Sequence, residues 1–199
     1  MSGTVNQKRR FVAFAAATSL LLSAALILGH GSEAGPRQLD PVILKSTFSL
    51  MQAQAIKEFD VYRAVNAPNG LSVSAILRNP PANDISFIYG SCLPRTGGCA
   101  PPAEIQSWPA CKRHLGLYGP DGPTLEPAEV RGVPAAFFEG GRRLEIQTGR
   151  STIVIFARTR DEVLGFAEAL QGLNVLVGPG DALPQPAPGA LTGALDCPQ

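Results

Sequence analysis

The feature that most constrains this chain is an uncharged run near its start. Phe11 to Gly29 reads FVAFAAATSLLLSAALILG, 19 residues without a charge. A helix needs about 20 apolar residues to cross the hydrocarbon core of a bilayer, so the run is just sufficient. Lys8, Arg9 and Arg10 stand directly before it, and no acidic residue occurs among the first ten. Basic residues stay on the cytoplasmic side, so everything after residue 30 is expected to be exported. The segment reads as an uncleaved signal anchor. The alternative is a signal peptide cut after Ala34, where Ser32-Glu33-Ala34 supplies the small residues at positions −3 and −1. Both readings place the remaining chain outside the cytoplasm, at the cell membrane or secreted.

Charge supports this division. The whole chain holds 17 Lys and Arg against 16 Asp and Glu. Removing the three at positions 8–10 leaves 14 basic residues against 16 acidic ones, a deficit of two. A nucleic-acid binder relies on excess positive charge to neutralise phosphates, so nucleic acid is excluded as a partner. A hydrophobic content of 45% excludes an acidic disordered tail protein. Eighteen Pro and 21 Gly break the chain often and disfavour long helices.

Five segments follow: a basic segment 1–10, the anchor or signal core 11–29, a connector 30–45, a packed domain 46–177 and a Pro/Gly-rich tail 178–199. The tail contains five Pro and four Gly in 22 residues, which forbids a helix or a central strand. Within the domain, Ser49–Phe59 predicts a short helix and Pro68-Asn69-Gly70 a turn. Leu71–Arg78 alternates with Leu71, Val73, Ala75 and Leu77 on one face. Asp84–Tyr89 alternates with Ile85, Phe87 and Tyr89 on one face, and the two predict a hairpin. Residues 90–128 read as irregular, with a short extended piece at Glu104–Trp108. Val130–Glu139, Arg142–Thr148 and Ser151–Ala157 predict a meander with glycine turns. Ser151–Ala157 is apolar on both faces and should be central. Pro134 argues for an edge or a bulge. Thr159 and Glu162 predict a capping box, followed by a helix burying Val163, Phe166, Ala167 and Leu170 and stopped by Gly172. The expected fold is α+β: an antiparallel sheet of about five strands with one C-terminal helix packed on it, preceded by an N-terminal transmembrane or signal helix.

Cys92, Cys99, Cys111 and Cys197 make an even number in an exported domain, so disulfides are the default. Three connectivities are possible; the favoured one closes a Pro/Gly-rich loop with Cys92–Cys99 and staples with Cys111–Cys197 a tail that buries little by itself. A zinc site using the three loop cysteines with His114 is the alternative. Its C-x₆-C-x₁₁-C-x₂-H spacing matches no common finger. No metal or cofactor is therefore expected.

Catalytic constellations are sparse. His30 and His114 are the two histidines, so a triad would need His114 as its base. There is no G-x-S-x-G, phosphate-loop or H-E-x-x-H motif. Glu126/Glu129 and Asp161/Glu162 fit caps and solvated charges better than acid/base pairs. The candidate interaction surface is Trp108, Tyr118, Arg142, Arg143 and Arg150. Trp108 and Tyr118 would be aromatic anchors, or Trp108 would cover the sheet face that the helix leaves open. The arginines would touch anionic lipid or a protein partner, or form a solvated hairpin rim.

YGSCLPRTGGCAPPAEIQSWPAC (Tyr89–Cys111) and VRGVPAAFFEGGRRLEIQTGRSTIVIFA (Val130–Ala157) resemble a group of uncharacterised membrane-anchored or secreted proteins of high-GC bacteria. The resemblance covers most of residues 84–176 and implies a location but no activity. The order of strands and a final helix is also similar to extracytoplasmic domains of some anti-sigma-factor-like and outer-surface carrier proteins, and fold alone assigns no function. The functional expectation is a non-enzymatic, disulfide-stapled extracytoplasmic binding domain tethered to the membrane through residues 11–29, with a protein partner or ligand at the cell surface. The alternatives are an envelope enzyme using His114 with a carboxylate, or a carrier holding a lipid between sheet and helix.

Overall fold

In the computed structural model the described residues are 46–92, 99–119 and 122–197. All of them belong to one compact unit. The anchor or signal core at 11–29, the connector and the cleavage site lie outside the described residues. Among those described, no helix is long and apolar enough to cross a membrane.

This unit is α+β and dominated by antiparallel sheet. Among the described residues ten strands form: β1 (Ser46–Thr47), β2 (Tyr62–Ala64), β3 (Val73–Asn79), β4 (Asp84–Tyr89), β5 (Ala103–Pro109), β6 (Glu126–Val130), β7 (Val133–Phe138), β8 (Arg143–Thr148), β9 (Ser151–Ala157) and β10 (Leu170–Gly172). Eight of them make one sheet in the order β1-β3-β4-β5-β9-β8-β7-β6, and β10 pairs with β2 apart from it. The expectation of about five strands is too low. The missed ones are short (β1, β2, β10) or carry chain breakers, as β6 does in Glu126-Pro127.

The hairpin β3–β4 and the meander β7–β8–β9 form as the alternation predicts. β9 is central, between β5 and β8, and Ser151 to Ile155 are all buried. Three expectations are corrected. First, β3 does not keep one face. A register shift between Val73 and Ala75 pairs Val73 with Tyr89 and Ile76 with Phe87. The extra residue switches the faces, so Leu71, Val73 and Ile76 join the core while Ala75 and Leu77 turn away. Second, the predicted strand Val130–Glu139 is a hairpin. Arg131 (φ 51°) and Gly132 (φ 83°) turn the chain between β6 and β7. Third, Pro134 is not on an edge. It pairs with Glu129 of β6, and the β8 ladder begins only at Ala135, so the missing N–H interrupts no bond on that side.

Helix α1 is shorter than expected, Leu50–Gln54, and Ser49 and Gln52 form a complete capping box. Helix α2 runs Arg160–Glu168 and buries Val163, Phe166 and Ala167. Thr159 Oγ1 accepts from the Glu162 N–H at 3.2 Å as predicted. Glu162 does not complete the box. Its carboxylate accepts from the Arg158 N–H at 3.1 Å, and its other oxygen accepts from Asn69 Nδ2 at 3.0 Å. Nor does Gly172 stop the helix, because Leu170–Gly172 is needed as β10 against β2.

The core lies on one face of the sheet, called the inner face. Ile85, Phe87 and Tyr89 of β4, Ile105 of β5, Ile153 and Ile155 of β9, and Leu144 and Ile146 of β8 meet α2 and the β2–β10 pair there. Tyr89 meets Phe166 edge-on at 5.0 Å. The opposite, outer face is mixed: Glu104, Gln106, Thr152, Arg143, Glu145 and Gln147 share it with Ile88, Trp108, Val154 and Phe156.

Candidate functional site

The order β5-β9-β8-β7-β6 forces the chain after β5 to pass three intervening strands before it can become β6. At roughly 4.8 Å per strand that is a journey of about 19 Å across the sheet. After β5 the described residues 110–119 bring Arg113 and Tyr118 over the outer face onto Glu145 of β8.

Arg143, Glu145 and Gln147 alternate with Leu144 and Ile146, so the polar three project to the outer face. Glu145 is fully buried. Tyr118 OH donates to its carboxylate at 2.8 Å. Arg113 grips it with two nitrogens, Nε to Oε2 at 3.2 Å and Nη2 to Oε1. Arg113 Nη2 also donates to Tyr118 OH at 3.1 Å, closing a triangle. Arg143 Nε stands 3.5 Å from the same carboxylate, and its Nη1 is 3.0 Å from Glu139. Burial opposes the Arg113 charge, but hydrogen bonds and attraction from Glu145 outweigh it and hold that guanidinium above its ordinary value. Tyr118 is pushed up by burial and by donating to Glu145. A carboxylate with two arginines and a phenol upon it is charge-compensated and fixed in place.

Aromatic rings frame this cluster. The Arg113 guanidinium lies 5.1 Å from the centroid of Trp108, and Arg143 lies 4.3 Å from that of Phe138. Tyr118 and Phe138 pack at 4.9 Å. Thr152, opposite both Trp108 and Gln147, donates its one hydroxyl hydrogen to the Arg113 carbonyl, and its Oγ1 lies 3.2 Å from Gln147 Oε1. Gln147 Nε2 is buried without a partner among the described residues.

The predicted surface therefore divides. Trp108, Tyr118 and Arg143 come together on the outer face, and Trp108 covers the face that α2 leaves open. Arg142 is exposed and donates to the Glu139 carbonyl at 3.3 Å. Arg150 lies at the other end of β8 and donates to the Lys57 carbonyl at 2.7 Å. Six residues of strand, roughly 20 Å, separate those two, so the three arginines form no single patch. Sequence reasoning missed Arg113, Glu145 and Gln147. Their signal was present: if β9 is covered on both faces, the outer side of its neighbour β8 is covered too, and a glutamate there needs a partner.

All four cysteines pair, Cys92 with Cys99 and Cys111 with Cys197, with Cα atoms 6.0 and 5.4 Å apart. No thiolate is left for a zinc site. Among the described residues no group of three His, Cys, Asp or Glu could hold a metal. The described part of the tail, through Cys197, has no helix or strand but is held in place. Arg131 donates to the carbonyls of Gly178 at 2.6 Å and Asp181 at 2.5 Å, and to those of Ala167 and Leu170 in α2 and β10. Leu183 and Ala190 are buried. Gly193 of the tail lies beside His114, whose ring packs between Gly116 and Gly193. A Cβ at Gly193 (φ +73°) would overlap that ring. His114 Nδ1 has no partner, and among the described residues no carboxylate hydrogen-bonds to it.

No family profile matches the chain, and neither the curated proteins nor the solved structures contain one significantly similar to it.

Proposed function

We propose that this protein is a non-enzymatic, disulfide-stapled binding domain of the extracytoplasmic space, tethered to the membrane through residues 11–29, as the resemblance to membrane-anchored proteins of high-GC bacteria implies. The observation that carries the reading is the pairing of all four cysteines, because disulfides persist in oxidising compartments and are rare elsewhere. The uncharged run after Lys8-Arg9-Arg10 supports the tether. Two further observations weigh against the other readings. The enzyme reading needs a carboxylate on His114, whereas the buried Glu145 is spent on Arg113 and Tyr118. The lipid-carrier reading needs a cavity between α2 and the sheet, where Phe166, Tyr89 and Val163 are packed as core.

Alkylation of intact cells tests the compartment. With a bulky maleimide reagent, no mobility shift is expected before reduction, and a shift corresponding to four thiols after it. Four thiols modified before reduction would sink the extracytoplasmic reading. Protease added to spheroplasts should then cut the domain while leaving cytoplasmic markers whole.

A further inference from the structure

We propose that the cleft between β2 and the start of β3 binds a monocarboxylate carrying an apolar chain, and that Arg63 takes its carboxylate. The inference rests on the reading of the chain as a binding domain and names its class of ligand. The cleft holds about 450 Å³, within the range of small-ligand sites. One wall is β2 with the turn that follows it, and the other runs from Gly70 into β3. It is open to solvent, since Asn66, Gly70 and Ser72 on its walls are exposed. Tyr89 of β4 also lines it, but that hydroxyl is committed. It accepts from the Ala64 N–H at 2.7 Å and donates to the Ala64 carbonyl at 3.1 Å.

Arg63 is the charged residue of the cleft, and no acidic residue lines it. Alternation along β2 places it there: Tyr62 and Ala64 are buried, and Arg63 between them is half-buried. Its Nε is shielded from solvent and has no hydrogen-bond partner. The two Nη nitrogens are not shielded, and neither has a partner among the described residues. Arg113, Arg131 and Arg160, by contrast, each spend the guanidinium on acceptors of this chain. A guanidinium stays charged at neutral pH, and a sheltered donor without an acceptor is costly. A carboxylate supplies both missing things, a negative charge and two oxygens spaced for the two Nη groups. One guanidinium balances one negative charge, so a dianion such as phosphate would stay half-compensated. Glu162, which reaches the 68–70 turn, is held by Asn69 and the Arg158 N–H. Leu71 and Val73 in the same cleft are half-buried against the core and offer apolar surface to a hydrocarbon chain.

The probes are N-acetylleucine, a monoanion at neutral pH, and N-acetylleucinamide, which keeps the side chain and lacks the charge. Each is titrated into the full-length, nitrogen-15-labelled protein in a zwitterionic detergent, and backbone amide shifts are followed. The acid is expected to shift the amides of Arg63, Val65, Asn66 and Ser72 saturably and to bind about tenfold tighter than the amide, the scale of one charge-assisted hydrogen bond. Arg63→Gln should erase that tenfold preference with near-ultraviolet dichroism and both disulfides retained. Arg63→Lys keeps the charge without the planar fork and should keep part of it. The acid–amide comparison is made on the unaltered chain, so it decides the matter even if a variant misfolds. No saturable shift with the acid up to about 10 mM, the range of the weakest specific complexes, overturns the assignment. Equal binding of acid and amide, or a preference that survives Arg63→Gln, overturns it too. N-acetyl-Ala-Ala-Leu separates the sources of the carboxylate: tighter binding than N-acetylleucine marks a peptide chain end, and equal binding a free acid. If the acid fails while alkylation still shows four protected cysteines, the ligand class falls and the extracytoplasmic reading stands. If the acid binds and the cysteines prove reduced in cells, the reverse holds.

Discussion

Glu145 is the residue on which the outer face turns. It is fully buried, and its charge is tolerated because Arg113, Arg143 and Tyr118 converge on it. Removing one partner of a buried pair strands the other, which typically costs about 3–5 kcal/mol. Glu145→Gln is therefore expected to lower the unfolding free energy in urea by about 3 kcal/mol, Arg113 being partly exposed. Adding Arg113→Met should recover part of that loss. A double variant as unstable as the sum of the singles would show that the pair is not coupled. At the inner face, burial pushes the Tyr62 hydroxyl up to about 12 and Tyr89 higher than its ordinary value too. The folded state thus holds these protons more tightly than the unfolded chain, whose tyrosines titrate near 10. Their contribution to stability is complete below pH 10 and is lost as pH rises through about 12. Alkaline unfolding monitored by dichroism should steepen across that window, and Tyr62→Phe should flatten it.

Among elements, α2 shows how a local signal is read in part. Thr159 caps the helix as its position before Arg160-Asp161-Glu162 predicts. Glu162 answers to Asn69 and the Arg158 N–H instead, because the turn at 68–70 lies against the helix start. Thr159→Ala should cost about 1 kcal/mol by thermal or urea unfolding, the usual worth of an N-cap. Glu162→Ala should do more than lose a helix contact, since it also frees the 68–70 turn; faster amide exchange there is the readout. The β6 edge is guarded by exposed Glu126 and Glu129 and by Pro127, which oppose the addition of another strand.

For the molecule as a whole, the staples set which parts move together. Cys111–Cys197 joins residues 86 apart and ties the tail to the loop that carries Arg113 and Tyr118. Chain entropy assigns a loop of that size about 4–5 kcal/mol, against about 2–3 for Cys92–Cys99. Replacing Cys111 and Cys197 together by Ser should therefore destabilise the domain more than replacing Cys92 and Cys99. It should also raise amide exchange across the tail from about residue 183, while the Arg131 contacts keep Gly178–Asp181 slower. Equal losses for the two pairs would contradict this division.

What the sequence determined by itself is whatever local periodicity and counting can express. Alternation placed β4, and apolar runs between glycine turns placed β8, β9 and their meander. The Thr159 cap placed α2, and four cysteines with a Pro-rich tail pointed to both disulfides. The tertiary structure decided the rest. Pairing β5 beside β9 turned a short extended piece into a central strand and laid residues 110–119 on the outer face. Only that placement brings Arg113 and Tyr118 to Glu145, 27 or more residues away along the chain. The physical reason is that periodicity fixes which face a side chain takes but not which strand or loop comes to cover that face. The cover is chosen by the burial of the whole sheet, and a buried charge is stable only once its partner has arrived from elsewhere in the chain.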